Sequence, residues 1–489
     1  MANPGGGSIK VRRGLSKVRN LIGWVCLLSC WAAAFGASDQ ITELRTQLEG
    51  QAEQMRQLQS RIAELEKLVG RLPPAAAPSP AAAAPEAERV RWKISGFADF
   101  TSISRSTFSG TGISTGFGAI PLERSADARL GEFRGAGNHS RLSFRLDTRL
   151  AGRELTAYAE TDFLAGTTAN VFAGSNPHGL RMRLYWVRWG GRRWDLVAGQ
   201  SWSLLAPNRR GISPEPSQIS NTMLLDPNYN VGLVWTRQGT VRLTRHWSRL
   251  HLAASVENAE PNITDPRQAP PDTRGLGTRA APGANHTPDF IVKAAYDAPW
   301  VHLEAAAIGR VFRVYSPGLD RTDQAFAGGG SLAGVVFFGP RVQLVSQNFL
   351  AAGGGRYAQG VTPDLVVRPD GRVVPVTTVS LLEGIEVKAG HRVDVYGYWG
   401  LVYGKRAAYR TPAGGWVGFG APHGSTVDNR TVAQTSVGFR HFFWRQEGYG
   451  SLSYALNYSY LVRKLWEPVA AGGAGRLHMV YTNLRYNLP

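Results

Sequence analysis

Between Ser140 and Leu150 the chain reads Ser-Arg-Leu-Ser-Phe-Arg-Leu-Asp-Thr-Arg-Leu. Successive side chains of an extended strand point to opposite sides. Leu142, Phe144, Leu146 and Leu150 therefore share one face, and Arg141, Ser143, Arg145, Asp147 and Arg149 share the other. One such segment also suits a soluble sheet with a single wet face. What constrains the fold is recurrence in segments of about ten residues, the length with which a tilted strand crosses a bilayer. The cleanest repeat sets Leu452, Tyr454, Leu456, Tyr458 and Tyr460 against Ser451, Ser453, Asn457 and Ser459. An apolar exterior around a polar interior follows.

Alternation bounded by turn signals predicts strands over approximately 92–101, 138–150, 154–163, 180–189, 193–203, 239–247, 249–258 and 288–297. It continues over 301–313, 330–339, 341–350, 378–388, 391–405, 431–444, 449–463 and 475–488. The fold class is thus an all-β transmembrane barrel of about sixteen antiparallel strands, an even number as bacterial barrels require. Connections differ in kind. Ala151-Gly-Arg153, Gly190-Gly191 and Gly339-Pro340 are tight, whereas 102–137, 164–179, 259–287 and 406–430 are long and rich in Gly or Pro. That is the asymmetry of periplasmic turns and extracellular loops. Trp186, Trp189 and Trp194 surround the Gly190-Gly191 turn, where an aromatic girdle is expected. Residues 204–238 carry Pro207, Pro214, Pro216 and Pro227 with Arg209 and Arg210. Their length leaves two readings open, a loop folded into the lumen and an ordinary exposed one.

The start of the chain sets the compartment. Lys10, Arg12, Arg13, Lys17 and Arg19 precede an apolar run, Leu21 to Phe35, and small residues follow, which predicts a signal peptide over 1–36. Leu27-Leu-Ser-Cys30 approaches a lipoprotein box, but Leu28 is bulky for it and apolar sequence continues beyond the cysteine. Cys26 and Cys30, the only cysteines, lie inside this signal, so the mature protein has no thiol chemistry. The signal holds five basic residues and no acid, and its loss takes the formal charge from +19 to +14. Mean hydropathy is −0.20 and no later run reaches a helical span, which excludes a helical membrane protein and leaves a barrel open.

Residues 39–72 form a different module. Ile41, Leu48, Met55, Ile62 and Val69 recur every seven residues, as do Leu44, Gln51, Leu58, Leu65 and Leu72, the a/d seam of a coiled coil. Arg61-Ile-Ala-Glu-Leu-Glu66 places an Arg at g and a Glu at e, where ions pair between chains, and we read a short periplasmic trimeric coiled coil. The alternative is a single amphipathic helix on another surface. Residues 73–89, rich in Ala and Pro, read as a semi-stiff linker, and 90–489 as the barrel. A homotrimer through the barrel wall and the coiled coil 41–72 is expected.

Function is sought on the polar face. Arg141, Arg145 and Arg149 share it on one strand, and Arg181 and Arg183 share it two strands on, opposite Leu180, Met182 and Leu184. Arginine is always charged and offers a fork to a carboxylate, so these rows suit a ladder for small organic anions. Asp147, Glu160 and Asp162 are expected opposite, partly neutralising it; Arg209 and Arg210 supply a second candidate filter. The plainer reading makes the arginines ion-pair partners that hold the wall. Enzyme, metal and cofactor readings find no support. The ten histidines are scattered, with no close pair beyond His246 and His251, and no Gly-x-Ser-x-Gly elbow occurs. Positive charge without a basic-aromatic platform does not argue for nucleic acid.

Asn138-His-Ser-Arg-Leu-Ser-Phe, Glu160-Thr-Asp-Phe163, Arg181-Met-Arg-Leu-Tyr-Trp-Val187 and Ala198-Gly-Gln-Ser-Trp-Ser203 occur in that order behind an exported coiled coil. This set resembles the DcaP-like family of trimeric outer-membrane porins. The resemblance implies a sixteen-stranded trimeric channel in the outer membrane, a periplasmic N-terminal coiled coil and a preference for negatively charged solutes. The ending Tyr486-Asn-Leu488-Pro489 departs from the aromatic finish usual in such barrels, which bears on assembly efficiency. A barrel-anchored structural or adhesion protein presenting its coiled-coil stalk is the competing reading.

Overall fold

The computed structural model describes residues 90–166, 178–278, 281–284, 286–422 and 424–489, together with isolated positions between Glu49 and Lys67. The chain divides into two units, Met1–Ala87 and Glu88–Pro489. In the first, the described positions from Glu49 to Lys67 are α-helical, and Arg56 and Glu53, one turn apart, approach to 3.5 Å. The expected signal peptide, the linker and most of the heptad seam lie outside the described residues.

The second unit is a closed antiparallel sheet. Its strands are β1 (Arg91–Arg105), β2 (Arg141–Leu150), β3 (Arg153–Gly166), β4 (His178–Gly190) and β5 (Trp194–Trp202). There follow β6 (Arg237–His246), β7 (Leu250–Glu257), β8 (Asp289–Ala298), β9 (Val301–Ser316), β10 (Arg321–Phe338) and β11 (Val342–Ala352). The last five are β12 (Thr377–Lys388), β13 (Val393–Gly404), β14 (Asn429–Gln446), β15 (Gly450–Val469) and β16 (Gly472–Asn487). Each expected segment corresponds to one strand. Closure joins β1 to β16 through Phe97↔Asn487 to Arg105↔Met479, so no edge is left unpaired. The lower half of β1 pairs with β2, and its upper half with a short strand, Glu132–Ala136, inside the first long connection.

Turn chemistry fixes the polarity of the barrel. Ala151 (φ 53°) and Gly152 (φ 72°) both adopt the left-handed conformation of a two-residue type I′ turn, whose twist matches the flanking strands. Similar short turns follow β4, β6, β8, β10, β12 and β14, all at the end where β1 begins and β16 finishes. The connections at the other end include the long ones. One of them, 353–376, carries its own two-stranded ribbon, Leu365–Val367 with Val373–Pro375.

The alternation holds in β15, where Ser453, Ala455, Asn457 and Ser459 are buried and Tyr458 is exposed on the outside. It breaks in β4. A register shift between Glu160 and Thr161 makes a bulge on β4, because Glu160 pairs with Leu184 while Thr161 pairs with Met182. Beyond the bulge the phase inverts. Leu180 and Met182 face outward as expected, but Leu184 turns inward and is fully buried. Trp186 turns inward with it, stacked on Tyr158 at 5.2 Å, and is absent from the girdle; Trp189 and Trp194 remain at the turn, edge to face at 5.3 Å.

Candidate functional site

Connection 203–236 passes inside the barrel and packs against the inner wall. Leu204, Leu205, Ile212 and Val234 join Ala253, Ile291, Ile308 and Phe349 in one apolar cluster. Ala206 and Ile219 join Leu184, Trp186 and Trp202; Leu224 and Leu233 join Leu382, Tyr396 and Tyr398. Leucine-rich sequence in a loop makes sense only with such burial, each side chain contributing roughly 1.5–3 kcal/mol. The loop backbone also lies flat on the wall. A Cβ at Gly400 would stand 1.7 Å from the Val231 carbonyl oxygen, so only glycine fits there.

Buried charges anchor the loop. Glu304 on β9 accepts from the Asn208 amide at 3.0 Å, from Lys293 Nζ at 2.8 Å and from His302 Nε2 at 3.2 Å. Lys293 in turn donates to the Ala206 carbonyl at 2.9 Å. Asp297 accepts from the Gly211 amide at 2.8 Å and contacts His302 and His251, whose Nδ1 meets that of His246 at 2.9 Å. Arg209 forks onto Glu386 at 2.7 and 2.8 Å, and Arg210 reaches Asp297 at 3.5 Å and lies over the Phe337 ring. Arg209 and Arg210 therefore hold the loop to the wall. Histidines that were scattered in the sequence become a line here because consecutive hairpins set them side by side.

On the wall formed by β16 and β1–β4 a belt of charge faces the lumen. Arg485 pairs with Asp99 at 2.8 Å, Arg141 with Glu160 at 3.6 Å, and Arg183 with both Glu160 and Asp162 at 2.7 Å. Arg181 forks onto Asp162 at 2.9 and 2.7 Å. The Phe97 ring sits between guanidiniums, with Arg485 at 3.8 Å and Arg141 at 5.1 Å. Four arginines thus share three carboxylates. Glu160 and Asp162, expected opposite the arginines or, on the plainer reading, paired with them in the wall, stand beside them on the adjacent strand, because cross-strand register sets Arg141 against Asp162 and Asp162 against Arg181. Asp147 belongs to a separate pair with Arg145 at 2.8 Å, and Arg145 also reaches Glu215 of the inner loop at 2.8 Å. Arg149 is exposed near the short-turn end, away from the belt. Exposure separates the belt's members: the Arg181 side chain stays 37% exposed and that of Arg183 only 2%. Arg181 is open to solvent, and Arg183 is part of the wall.

Arg485, Asp99 and Phe97 were missed in the sequence. Their signal was the phase of Tyr481, Asn483 and Arg485 against Leu484 and Tyr486, but only closure of β16 on β1 brings them to Arg141.

Over the lumen, at the long-loop end, two connections lock together. Asp265 caps the turn Pro266–Gln268, and Ser425 donates to it; Asp428 accepts from the Gly420 amide at 2.7 Å and from Gln268 at 3.0 Å. Burial pushes the Asp428 carboxyl up to about 6. Burial acts in the same sense on Asp265, but hydrogen bonds from Arg267 and Ser425 outweigh it and hold that carboxyl at about 2. Among the described residues no group of three or more His, Cys, Asp or Glu is arranged to hold a metal, and no helix is long and apolar enough to cross a membrane.

No family model matches the chain, and no curated protein matches it. Among solved structures, the outer membrane channel DcaP of Acinetobacter baumannii superposes with a TM-score of 0.61 at 14% identity, covering 82% of this chain and 97% of its own. The anion-selective porin from Comamonas acidovorans gives 0.48 at 13% identity over 82% and 100%, and OmpF of Salmonella typhi in complex with daunomycin 0.47 at 10% over 81% and 97%. The two scores below 0.5 add nothing to the first. At 14% identity the first shows a shared fold, so the resemblance to the DcaP-like porins holds at the level of a closed sixteen-stranded antiparallel barrel.

Proposed function

We propose that this chain is a bacterial outer-membrane porin, a homotrimer through which small solutes diffuse passively, with anions such as organic acids preferred. The observation that carries the reading is the lumen belt, in which four arginines share three carboxylates opposite an inward-folded loop. A residual positive charge between low-dielectric walls concentrates anions, and the paired acids limit that bias to a preference. Arg181, held by Asp162 yet open to solvent, is the residue a carboxylate meets first. A structural anchor has no need of a lumen arginine left open to water, as Arg181 is.

The test is the zero-current potential of trimers in a planar bilayer under a salt gradient. Changing Arg141 and Arg181 together to Gln, with buried Arg183 kept as the counter-charge of Glu160 and Asp162, keeps a conducting channel and moves the potential towards cations. An unchanged potential in a folded, conducting mutant places the filter elsewhere.

A further inference from the structure

Between the long loops and the belt lies a chamber of about 510 Å³ that the porin reading alone does not use. Its lining comes from five connections of the long-loop end, 106–140, 203–236, 258–288, 353–376 and 405–428, and from the first residues of β6 and β14. Among the described residues Arg237 is the only charged side chain that lines it, with no Asp, Glu or Lys beside it. The Arg237 guanidinium rests 5.5 Å from the Trp202 ring centre and 5.8 Å from that of Trp235, and its Nη1 has no hydrogen-bond partner among the described residues. Trp235 and Phe117 supply apolar surface. Asn262, Gln359 and Asn429 supply amides, and the side-chain oxygens of Gln359 and Asn429 have no partner among the described residues.

Each feature selects for something. A lone guanidinium with no competing carboxylate suits one negative charge. The NH2 groups of Gln359 and Asn429 already donate to the carbonyls of Asn228, Asn230, Gly118 and Val361, which leaves their oxygens as acceptors for the O–H groups of a solute. An aromatic face packs against the C–H face of a saturated ring. The volume lies in the range of small-molecule sites. A plain alkyl carboxylate would use the first feature and leave the amides unpaired, a costly arrangement in a semi-buried chamber.

We propose that this chamber is a binding subsite for a monoanionic, polyhydroxylated solute of the sugar-acid class, with Arg237 on its carboxylate, Trp235 against its ring and Asn262, Gln359 and Asn429 on its hydroxyls. The subsite rests on the porin reading for its purpose, since it stands before the belt on the path of entry. It does not rest on that reading for its existence.

Titration calorimetry on the detergent-solubilised trimer, with D-glucuronate, D-glucose and acetate as probes, reads the site without conduction. Glucuronate binds saturably and more tightly than either fragment. Arg237→Gln weakens it about ten- to a hundred-fold, the worth of a hydrogen bond to a charged group. Asn262→Leu weakens glucuronate and leaves acetate unchanged. Glucuronate binding no tighter than acetate or glucose, or insensitive to Arg237→Gln in a folded trimer, overturns the subsite. In planar bilayers, glucuronate lowers the current of the wild-type channel in a saturable way. A conducting channel without selective glucuronate binding sinks the subsite alone, whereas selective binding without any conductance sinks the porin reading and leaves the subsite standing.

Discussion

Glu304 is the side chain whose loss the inner loop feels most. It accepts from Lys293 and His302, whose side chains are both fully buried, and from the Asn208 amide at the turn of the loop. In Glu304→Ala the two bases keep their positions and lose a counter-charge, and the amide loses its acceptor. Breaking one partner of a buried ion pair costs about 3–5 kcal/mol, because the surviving charge stays desolvated. Not all of that falls on the loop, since Asp297 still holds the Gly211 amide and Arg209 still holds Glu386. If ~3 kcal/mol does, the ratio of undocked to docked loop rises about a hundred-fold, each 1.4 kcal/mol being about a factor of ten. Single-channel recording reads this as larger, noisier openings, and heat-modifiability on gels reads it as earlier unfolding. The double change Lys293→Met with Glu304→Leu, which replaces the pair by apolar bulk, recovers part of the stability that the single change loses. A Glu304→Ala channel with wild-type conductance, noise and unfolding temperature would refute the assignment of this residue as an anchor.

Further outcomes follow from the same geometry. Arg183→Met leaves Glu160 and Asp162 under-compensated inside the wall and lowers stability by about 3–5 kcal/mol, whereas Arg149→Gln at the rim changes it by less than about 0.5 kcal/mol; equal unfolding in urea for the two variants would contradict the burial argument. At the loop corner, the raised carboxyl of Asp428 means that the folded state favours its protonated form. That contribution is complete below the ordinary carboxylate range and is lost as the pH rises through about 6, while that of Asp265 is lost only as the pH falls through about 2. Hydrogen exchange at the Gly420 amide, corrected for intrinsic rates, is therefore slower at pH 5 than at pH 7, and Asp428→Asn removes the difference; a wild-type corner indifferent to pH over this range would count against it. Deleting 39–72 leaves a folded barrel that still runs as a trimer by native mass spectrometry, because so short a seam is marginal on its own. A monomer would make the coiled coil the main trimer contact.

The period-two pattern alone determined the barrel. Membrane strands must satisfy every backbone group by pairing, and their side chains meet lipid and water on alternate faces, so local order along the chain carries the architecture. Strand number, most boundaries, the short-turn end and the lumen face of Arg141, Arg145 and Arg181 could all be read from it. Three features escaped it, each because it depends on residues far apart in the chain. The bulge opposite Glu160 turns Leu184 and Trp186 inward, and a phase slip of one residue leaves no mark on composition. Asp162 lies beside Arg181 because of strand register, which alternation does not specify when both faces keep their character. The direction of 203–236 was undecided in one dimension, since its leucines and prolines serve an exposed loop or a buried one. Its partners, Lys293, Glu304, Glu386 and Tyr398, lie 87 to 177 residues beyond the loop residues they hold, and only closure of the barrel sets them around it.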